Sequence, residues 1–553
     1  MKLSQHHVVS CDVLVIGGGG AGLRAAIAAR QSGADVLLAS KTRAGYANNT
    51  MISKATFATP SGWADPRDNP EVFLKDAVIG GRFINDQQLV AAVAREAGTQ
   101  MPFLEKCGVK FLESKGHILA IHAAGHSYPR HIRARERDGS GLVFPLKKHA
   151  RESGVRFADS VFITRLLTSK PGRIAAAAGI TRDGKFLVFV SKCFVLATGG
   201  FAQIYLHTNN APGISGDGLA LAFDAGAPLK DMEFVQFYPT AAGKMGSRLV
   251  LYEDLILRDK AELRNAEGDN IVTKHGLDDV MKMTRDRLAR AIMQEIFEGR
   301  GIEEGVMMDL SRASERHLLI YRSSFKVPHK KQFIVSPTTH FCNGGVVIDA
   351  NGETAIDGLF AAGEICAGVH GANRLAGNAL CEVFAMGGIA GKMAALKAKA
   401  LETPRLPEKK IAAERKRLES FSSGEHANLR QLRSALKETM WYQAGIIRRA
   451  KDLLQALEKI EEIRSSIPAL ELKNFKELIR ALELQNMLFA AEMVCRAALL
   501  RNESRGAHYR SDYPVENDQD WLKNIVISRQ DNEIALQPVP VSMDFISPQS
   551  IRD

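Results

Sequence analysis

The chain has no apolar run close to the roughly 18 residues that a membrane-spanning helix needs, so no spanning segment is expected. Cysteine is sparse: seven in 553 residues (Cys11, Cys107, Cys193, Cys342, Cys366, Cys381, Cys495), none in a CxxC pair. That argues against a zinc or iron–sulfur site built by this chain alone and for a reducing, cytoplasmic setting. The N-terminal stretch MKLSQHHVVSCDVLVIGG lacks the layout of a secretory leader and moves straight into a strand. There are three tryptophans and no interleaving of aromatic with basic residues of the kind that binds RNA. The net charge of +11 is spread along the chain and favours anionic substrates or an acidic partner over nucleic acid. What remains, 45% hydrophobic and 24% charged, is the composition of a globular protein large enough for two to four lobes.

The first chemical signal is near the N-terminus. Residues 11–16 form a short β-type run, residues 23–30 favour a helix, and residues 34–39 form a second strand. Between strand and helix, Gly17, Gly19 and Gly22 fit G-x-G-x-x-G. The first glycine permits the tight turn, the second lets backbone approach a pyrophosphate, and the third packs helix on strand. The helix N-terminus then faces the phosphates of a dinucleotide. After the second strand, where an acidic residue usually binds ribose, stand Ser40 and Lys41. A β-meander over residues 154–200 ends in Ala197-Thr198-Gly199-Gly200, whose glycines let a strand pass close to a cofactor. Asp217 opens a helix, where it serves as a cap or as a cofactor contact. Together with the two glycine motifs, the contact is the expectation. Residues 71–78 and 86–107 read as helices packed around the adenine side. Residues 401–425 read as a linker, and residues 429–501 show the i, i+3, i+4 apolar spacing of a helical bundle.

The densest stretch runs from Ser336 to Glu382. It contains Pro337-Thr-Thr-His340-Phe-Cys-Asn-Gly-Gly345, then Gly358-Leu-Phe-Ala-Ala-Gly-Glu364, then His370-Gly-Ala-Asn-Arg374-Leu-Ala-Gly-Asn378-Ala-Leu380. A histidine and an arginine flanking a glycine-rich loop can close a cofactor site and grip an anion at once. Elsewhere stand Met232-Glu-Phe-Val-Gln-Phe-Tyr238-Pro-Thr240, Thr284-Arg285-Asp286 with Arg290-Ala-Ile, and Glu503-Ser-Arg505-Gly-Ala-His508-Tyr-Arg510. These motifs together resemble the succinate dehydrogenase/fumarate reductase flavoprotein family, which is related to L-aspartate oxidase. The resemblance runs from about Cys11 to Pro514.

The resemblance implies an α/β fold: a Rossmann-like FAD-binding domain (1–235 and 336–400), an inserted α+β capping domain for substrate (236–335), a C-terminal helical domain (401–515) and a tail (516–553). It implies FAD held by Gly17, Gly19, Gly22, Ser40, Lys41, Asn49, Thr50, Ala197, Gly199, Asp217, Glu364, Asn378 and Leu380. The family's histidine for covalent flavin attachment falls on Asn49, so the flavin is expected to be non-covalent. Arg285 is expected as the proton donor with Glu253 in its relay, and His340, Arg374, Tyr238 and His126 as substrate contacts. No metal ligand is expected in this chain. Tyr238 stands where the family has a substrate-facing histidine, and a phenol can donate a hydrogen bond but cannot become a cation near neutral pH. Arg258 is a candidate for the arginine that the run after Glu253 lacks.

The implied reaction interconverts fumarate and succinate, with an iron–sulfur subunit exchanging electrons with FAD. Such a chain is cytoplasmic, or peripheral to the inner face of a membrane through its partners. Non-covalent flavin favours fumarate reduction, as in anaerobic respiration. Three other readings stand beside it: L-aspartate oxidase, whose ammonium-binding glutamate falls here on Ala123; a flavin reductase of the same fold acting on another unsaturated or sulfur-containing acid; and a non-catalytic electron-carrying or assembly flavoprotein.

Overall fold

The computed structural model describes residues 2–123, 125–136, 138–170, 172–242, 249–250, 255–256, 260–279, 283–315, 318–319, 330–421, 427–531 and 533–552. The expected Glu253 and Arg258 lie outside these residues.

The apolar run at residues 11–16 is the buried half of β1 (His7–Ile16), a strand covered on both faces, as the centre of a parallel sheet requires. It is followed by α1 (Gly20–Gln31) and β2 (Val36–Ser40). Next come α2 (Asn49–Ile52) and β3 (Thr56–Ala58), then two helices with side-chain caps. Asn69 caps α3 (Pro70–Gly80), and Asp86 caps α4 (Gln87–Lys106). A short β4 (His131–Arg133) pairs antiparallel with β3. After α5 (Ser140–Glu152), strands β5 (Arg156–Asp159), β6 (Val161–Lys170), β7 (Arg173–Thr181) and β8 (Phe186–Leu196) complete the meander expected there. The main sheet runs β5-β2-β1-β8-β7-β6. Its β5, β2, β1 and β8 are parallel, and β7 and β6 form the antiparallel excursion.

Downstream come α6 (Asp217–Asp224), β9 (Leu229–Lys230) and β10 (Val235–Ala242). Strands β11 (Leu249–Val250) and β12 (Glu262–Arg264) are followed by α7 (Arg285–Phe297), β13 (Val306–Asp309) and β14 (Gln332–Cys342). These build a five-stranded sheet ordered β11-β10-β14-β13-β12. Leu263, Ile271, Leu288, Ile292, Val306 and Met308 give it a hydrophobic core of its own. Strands β10 and β14 span the proposed border of the capping lobe. Tyr238 and His340 therefore sit on paired strands, with Tyr238 opposite Thr338 and Phe237 opposite Thr339.

The chain then returns to the first lobe through β15 (Gly345–Val346) and β16 (Leu359–Ala361), the latter parallel to β8. The next helix, α8 (Asn378–Lys399), is long and apolar enough to cross a membrane, contrary to the expectation from sequence, but 72% of its apolar window is buried. It is a core helix that lies against α1. A Cβ on Gly391 would stand 2.1 Å from the Ala25 carbonyl oxygen, and only glycine allows so close a crossing. Residues 401–425, expected as a linker, contain the helix Glu408–Glu419.

The bundle follows as α9 (Leu429–Gln443), α10 (Ala450–Ser465) and α11 (Phe475–Leu500). The last segment, expected as a tail, instead carries the hairpin β17 (Lys523–Gln530) and β18 (Glu533–Pro540). Ile525 and Ile527 on β17 are fully buried, and the hairpin extends a sheet ordered β15-β9-β17-β18. Its alternating burial, rather than any long apolar run, is what ties it down.

Candidate active site

A cavity of about 770 Å³ collects most of the residues singled out in the sequence. Its glycine-rich portion is built on the turn between β1 and α1. Gly17 has φ +125°, and a Cβ there would stand 2.1 Å from the Ala197 carbonyl oxygen. The two glycine motifs therefore meet face to face, and the first exists to let the second approach. Gly22 does not line the cavity: its missing Cβ would lie 1.9 Å from the Gly17 carbonyl oxygen, so it packs helix on strand. Gly19, Ser40, Thr50, Ala197, Gly199 and Leu380 all line the cavity, and Thr50 Oγ1 accepts a hydrogen bond from the Gly20 amide at 3.2 Å.

Lys41 and Asp217 line it as a pair. Lys41 Nζ lies 2.5 Å from Asp217 Oδ2 and 3.0 Å from Glu483 Oε1 on α11. Burial disfavours the ammonium, but the two carboxylates outweigh it and its pKa is raised. Asp217 Oδ1 accepts from Asn486 Nδ2 at 2.9 Å, so the C-terminal bundle reaches back to brace this portion. Asp217 is thus both the opening residue of α6 and the counterion of Lys41.

Asn49 is held from three sides. Its Nδ2 donates to Glu364 Oε2 at 2.9 Å and to Asn210 Oδ1 at 2.5 Å, while its Oδ1 accepts from the Ala211 amide at 3.0 Å. Glu364 also accepts from the Cys342 amide at 3.2 Å. Burial pushes the Glu364 carboxyl up to about 7, against the opposing pull of these hydrogen bonds and of Arg374.

The cationic portion is lined by Tyr238, Arg285, His340 and Arg374. Arg285 is the first residue of α7; Thr284 stands at the N-cap but makes no side-chain cap hydrogen bond. The Arg285 guanidinium lies 4.9 Å from the Tyr238 ring centre, and the Tyr238 and His340 rings meet edge to face at 5.3 Å. Buried Arg374 lies 4.6 Å from the Phe341 ring centre. Its Nη2 donates to Gln236 Oε1 at 2.9 Å, and Gln236 Nε2 returns bonds to the Asn373 Oδ1 and to the Arg374 carbonyl. His340 Nδ1 lies 2.9 Å from Asn209 Nδ2. Desolvation, then the charges of Arg374, Arg285 and Lys54, drive the His340 pKa well below its ordinary value. Burial and these charges thus favour the neutral imidazole.

A family model described as an FAD binding domain matches residues 12–380, and one described as the fumarate reductase flavoprotein C-terminus matches residues 433–552. A protein named as one of the subunits of the CoM/CoB fumarate reductase of Methanothermobacter marburgensis is 34% identical over 542 residues, covering 95% of this chain and 98% of that one. The fumarate reductase flavoprotein subunit of Mycobacterium tuberculosis is 31% identical, covering 98% of each. Among solved structures, a variant of the E. coli quinol fumarate reductase FrdA superposes with a TM-score of 0.90 at 26% identity, with 98% of both chains covered. The chain belongs to the fumarate reductase/succinate dehydrogenase flavoprotein family.

As a member of that family it is an FAD-dependent oxidoreductase. The lining fits the cofactor. The volume lies within the range of about 300–1,000 Å³ usual for ligand sites. The Gly17–Ala197 approach leaves a cradle that no side chain fills, and Thr198, which lines the cavity, has a buried Oγ1 with no hydrogen-bond partner.

Besides Gly22, two expected contacts fall elsewhere. His126 is buried and does not line the cavity; its Nε2 lies 3.0 Å from the Ala376 carbonyl oxygen, and its ring stacks edge-on against His131 at 4.5 Å. Turned inward in this way, the ring braces the loop after Arg374. Asn378 begins α8 without lining the cavity, and its Oδ1 is buried without a partner. Several contributors escaped the sequence reading: Gln236, Asn209, Asn210 and Lys54. Gln236 alone had a usable signal, as a long polar side chain near the start of a largely apolar strand; the others become visible only once α2 and β14 are side by side.

Proposed function

We propose that this chain is the catalytic flavoprotein subunit of a fumarate reductase, reducing a C4 dicarboxylate, with Arg285 as proton donor and Arg374 and His340 as the carboxylate grip. The observation that carries this reading is the convergence of Arg285, Tyr238, His340 and Arg374 on the same cavity as the glycine cradle. When bound, FAD supplies the hydride that reduces the double bond. Arg374, set at a fixed angle by Gln236, presents its planar fork to one carboxylate. Neutral His340 becomes more basic as that carboxylate arrives, and so can share its charge. Holding the alkene between these groups removes much of the entropic barrier. Arg285 then delivers a proton to the carbon beside the one that receives hydride. An arginine is ordinarily too basic for that, with a pKa above about 12. The positive charges of Arg374 and Lys54, which line the same cavity, lower the cost of its losing a proton.

Asn49 supports a non-covalent flavin, because an amide engaged by Glu364, Asn210 and Ala211 offers no imidazole nitrogen for attachment. Acid precipitation should leave all the flavin in the supernatant; flavin fluorescence on the denatured chain contradicts this. The electron donor is proposed to be an iron–sulfur subunit. All seven cysteines are buried and unpaired, and among the described residues no group of His, Cys, Asp and Glu is placed to hold a metal. The relatives above are themselves named as subunits. The test is anaerobic reoxidation of the reduced protein by a panel of unsaturated acids, read at the flavin absorbance. Fumarate is expected to be the best oxidant; failure with fumarate and success with another acid would move the substrate while keeping the reaction class.

A further inference from the structure

Resting on the reading of this cavity as a dicarboxylate site, we propose that Lys54 is a substrate-binding residue: its ammonium takes the carboxylate remote from Arg374, supplying the positive charge that Tyr238 cannot carry.

Lys54 lines the cavity together with Tyr238, Arg285, His340 and Arg374. Both sides of its backbone are tied to the substrate-facing elements. Upstream, Asn49 on α2 bonds Asn210, whose Nδ2 donates to the His340 carbonyl at 2.8 Å. Downstream, β3 bonds the loop that follows Arg374, with the Ala58 amide donating to the Gly377 carbonyl at 3.3 Å. The Lys54 carbonyl itself accepts from Arg133 Nε at 3.0 Å. The next residue, Ala55, is fully buried at φ +52°, a left-handed conformation that costs a residue with a Cβ and persists only where the surroundings impose it. The tied backbone fixes where the Lys54 stem leaves the wall of the cavity. The charge of Lys54 is also felt at His340, beside those of Arg374 and Arg285.

The chemistry points to a dianion. A monocarboxylate is already matched by Arg374. A second carboxylate needs a second permanent positive charge, and Arg285 is committed to proton delivery. The phenol of Tyr238 offers one hydrogen bond and no charge. Lys54 completes the balance and makes the site select unsaturated dicarboxylates over monocarboxylates.

The test uses FAD-loaded protein in the oxidised state, so that binding is read without turnover. Fumarate and crotonate, a dianion and a monoanion of similar size, are titrated by flavin difference absorbance and by calorimetry into wild type, Lys54→Gln and Lys54→Arg. Wild type is expected to prefer fumarate. Lys54→Gln should weaken fumarate about tenfold or more, the scale of one lost charge-assisted contact, while crotonate stays within about threefold. Lys54→Arg should recover most of the fumarate affinity. Equal weakening of both ligands, or no change in either, overturns the proposal. Should Lys54→Gln fail to load FAD, the wild-type ratio decides: equal affinity for fumarate and crotonate overturns it. Turnover of a dianionic acid other than fumarate would overturn the fumarate reading and leave this proposal standing, because its readout is the dianion-to-monoanion ratio.

Discussion

The two portions of the cavity are made differently. The glycine-rich portion is shaped by backbone, Gly17 against Ala197 and Gly22 against Gly17, and its charged side chains are tied to one another, as Lys41 is to Asp217 and Glu483. The cationic portion is shaped by side chains: Arg285 over the Tyr238 ring, Arg374 over Phe341, and a neutral His340 among them. Internally satisfied groups bind a cofactor through shape and permanence. The arginines of the cationic portion rest on aromatic rings, beside a histidine whose charged form burial and their charges disfavour. Two of the departures from the family motifs, Asn49 and Tyr238, line the same cavity.

Removing the arginine should break the comparison most. Arg374→Met is expected to lower kcat/KM for fumarate by about 10³-fold, or about 4 kcal/mol, because a buried, charge-assisted carboxylate contact is lost. FAD content should not change, since the glycine-rich portion does not depend on Arg374; loss of FAD with activity would show that the two portions are one.

Glu364 sharpens it by pH. Its folded pKa, about 7, is raised above the ordinary 4.5 by burial. A raised carboxyl contributes stability that is fully present below the unfolded pKa and is lost as pH rises through the folded one. The window is therefore pH 4.5 to 7, and the gap corresponds to about 3 kcal/mol. In denaturant titrations of FAD-free protein, wild type should lose about that much more than Glu364→Gln across this window. Parallel profiles would mean that Glu364 is ionised at no cost.

Gln236 should give the smallest effect. Gln236→Leu leaves Arg374 in place but releases its Nη2 and carbonyl contacts. A rise of about tenfold in the KM for fumarate, with kcat nearly kept, is the mark of a positioning residue. An equal fall in kcat would place Gln236 in the chemistry itself.

The same division decides what could be read from the sequence. Glycine spacing reports backbone geometry directly, so β1, α1 and the second fingerprint after β8 were all legible. Arg285, Tyr238, His340 and Arg374, proposed to act on substrate, were legible as motifs, and the cavity gathers them. What could not be read are contacts between distant segments. His126 turned inward to Ala376, Asp217 was already engaged by Lys41, and Gln236 lay 138 positions from the arginine it holds. The terminal hairpin was missed because short alternating strands carry little signal until β9 offers them an edge.

The account stands most directly on Arg285. Reduced wild-type protein and Arg285→Ala, each loaded with FAD, would be mixed anaerobically with fumarate in a stopped-flow instrument and the flavin followed through a single reoxidation. The expected result is a rate lowered by about 10³-fold in the variant, with fumarate binding changed by less than about fivefold, as removal of a proton donor requires. Equal rates in the two proteins would contradict it.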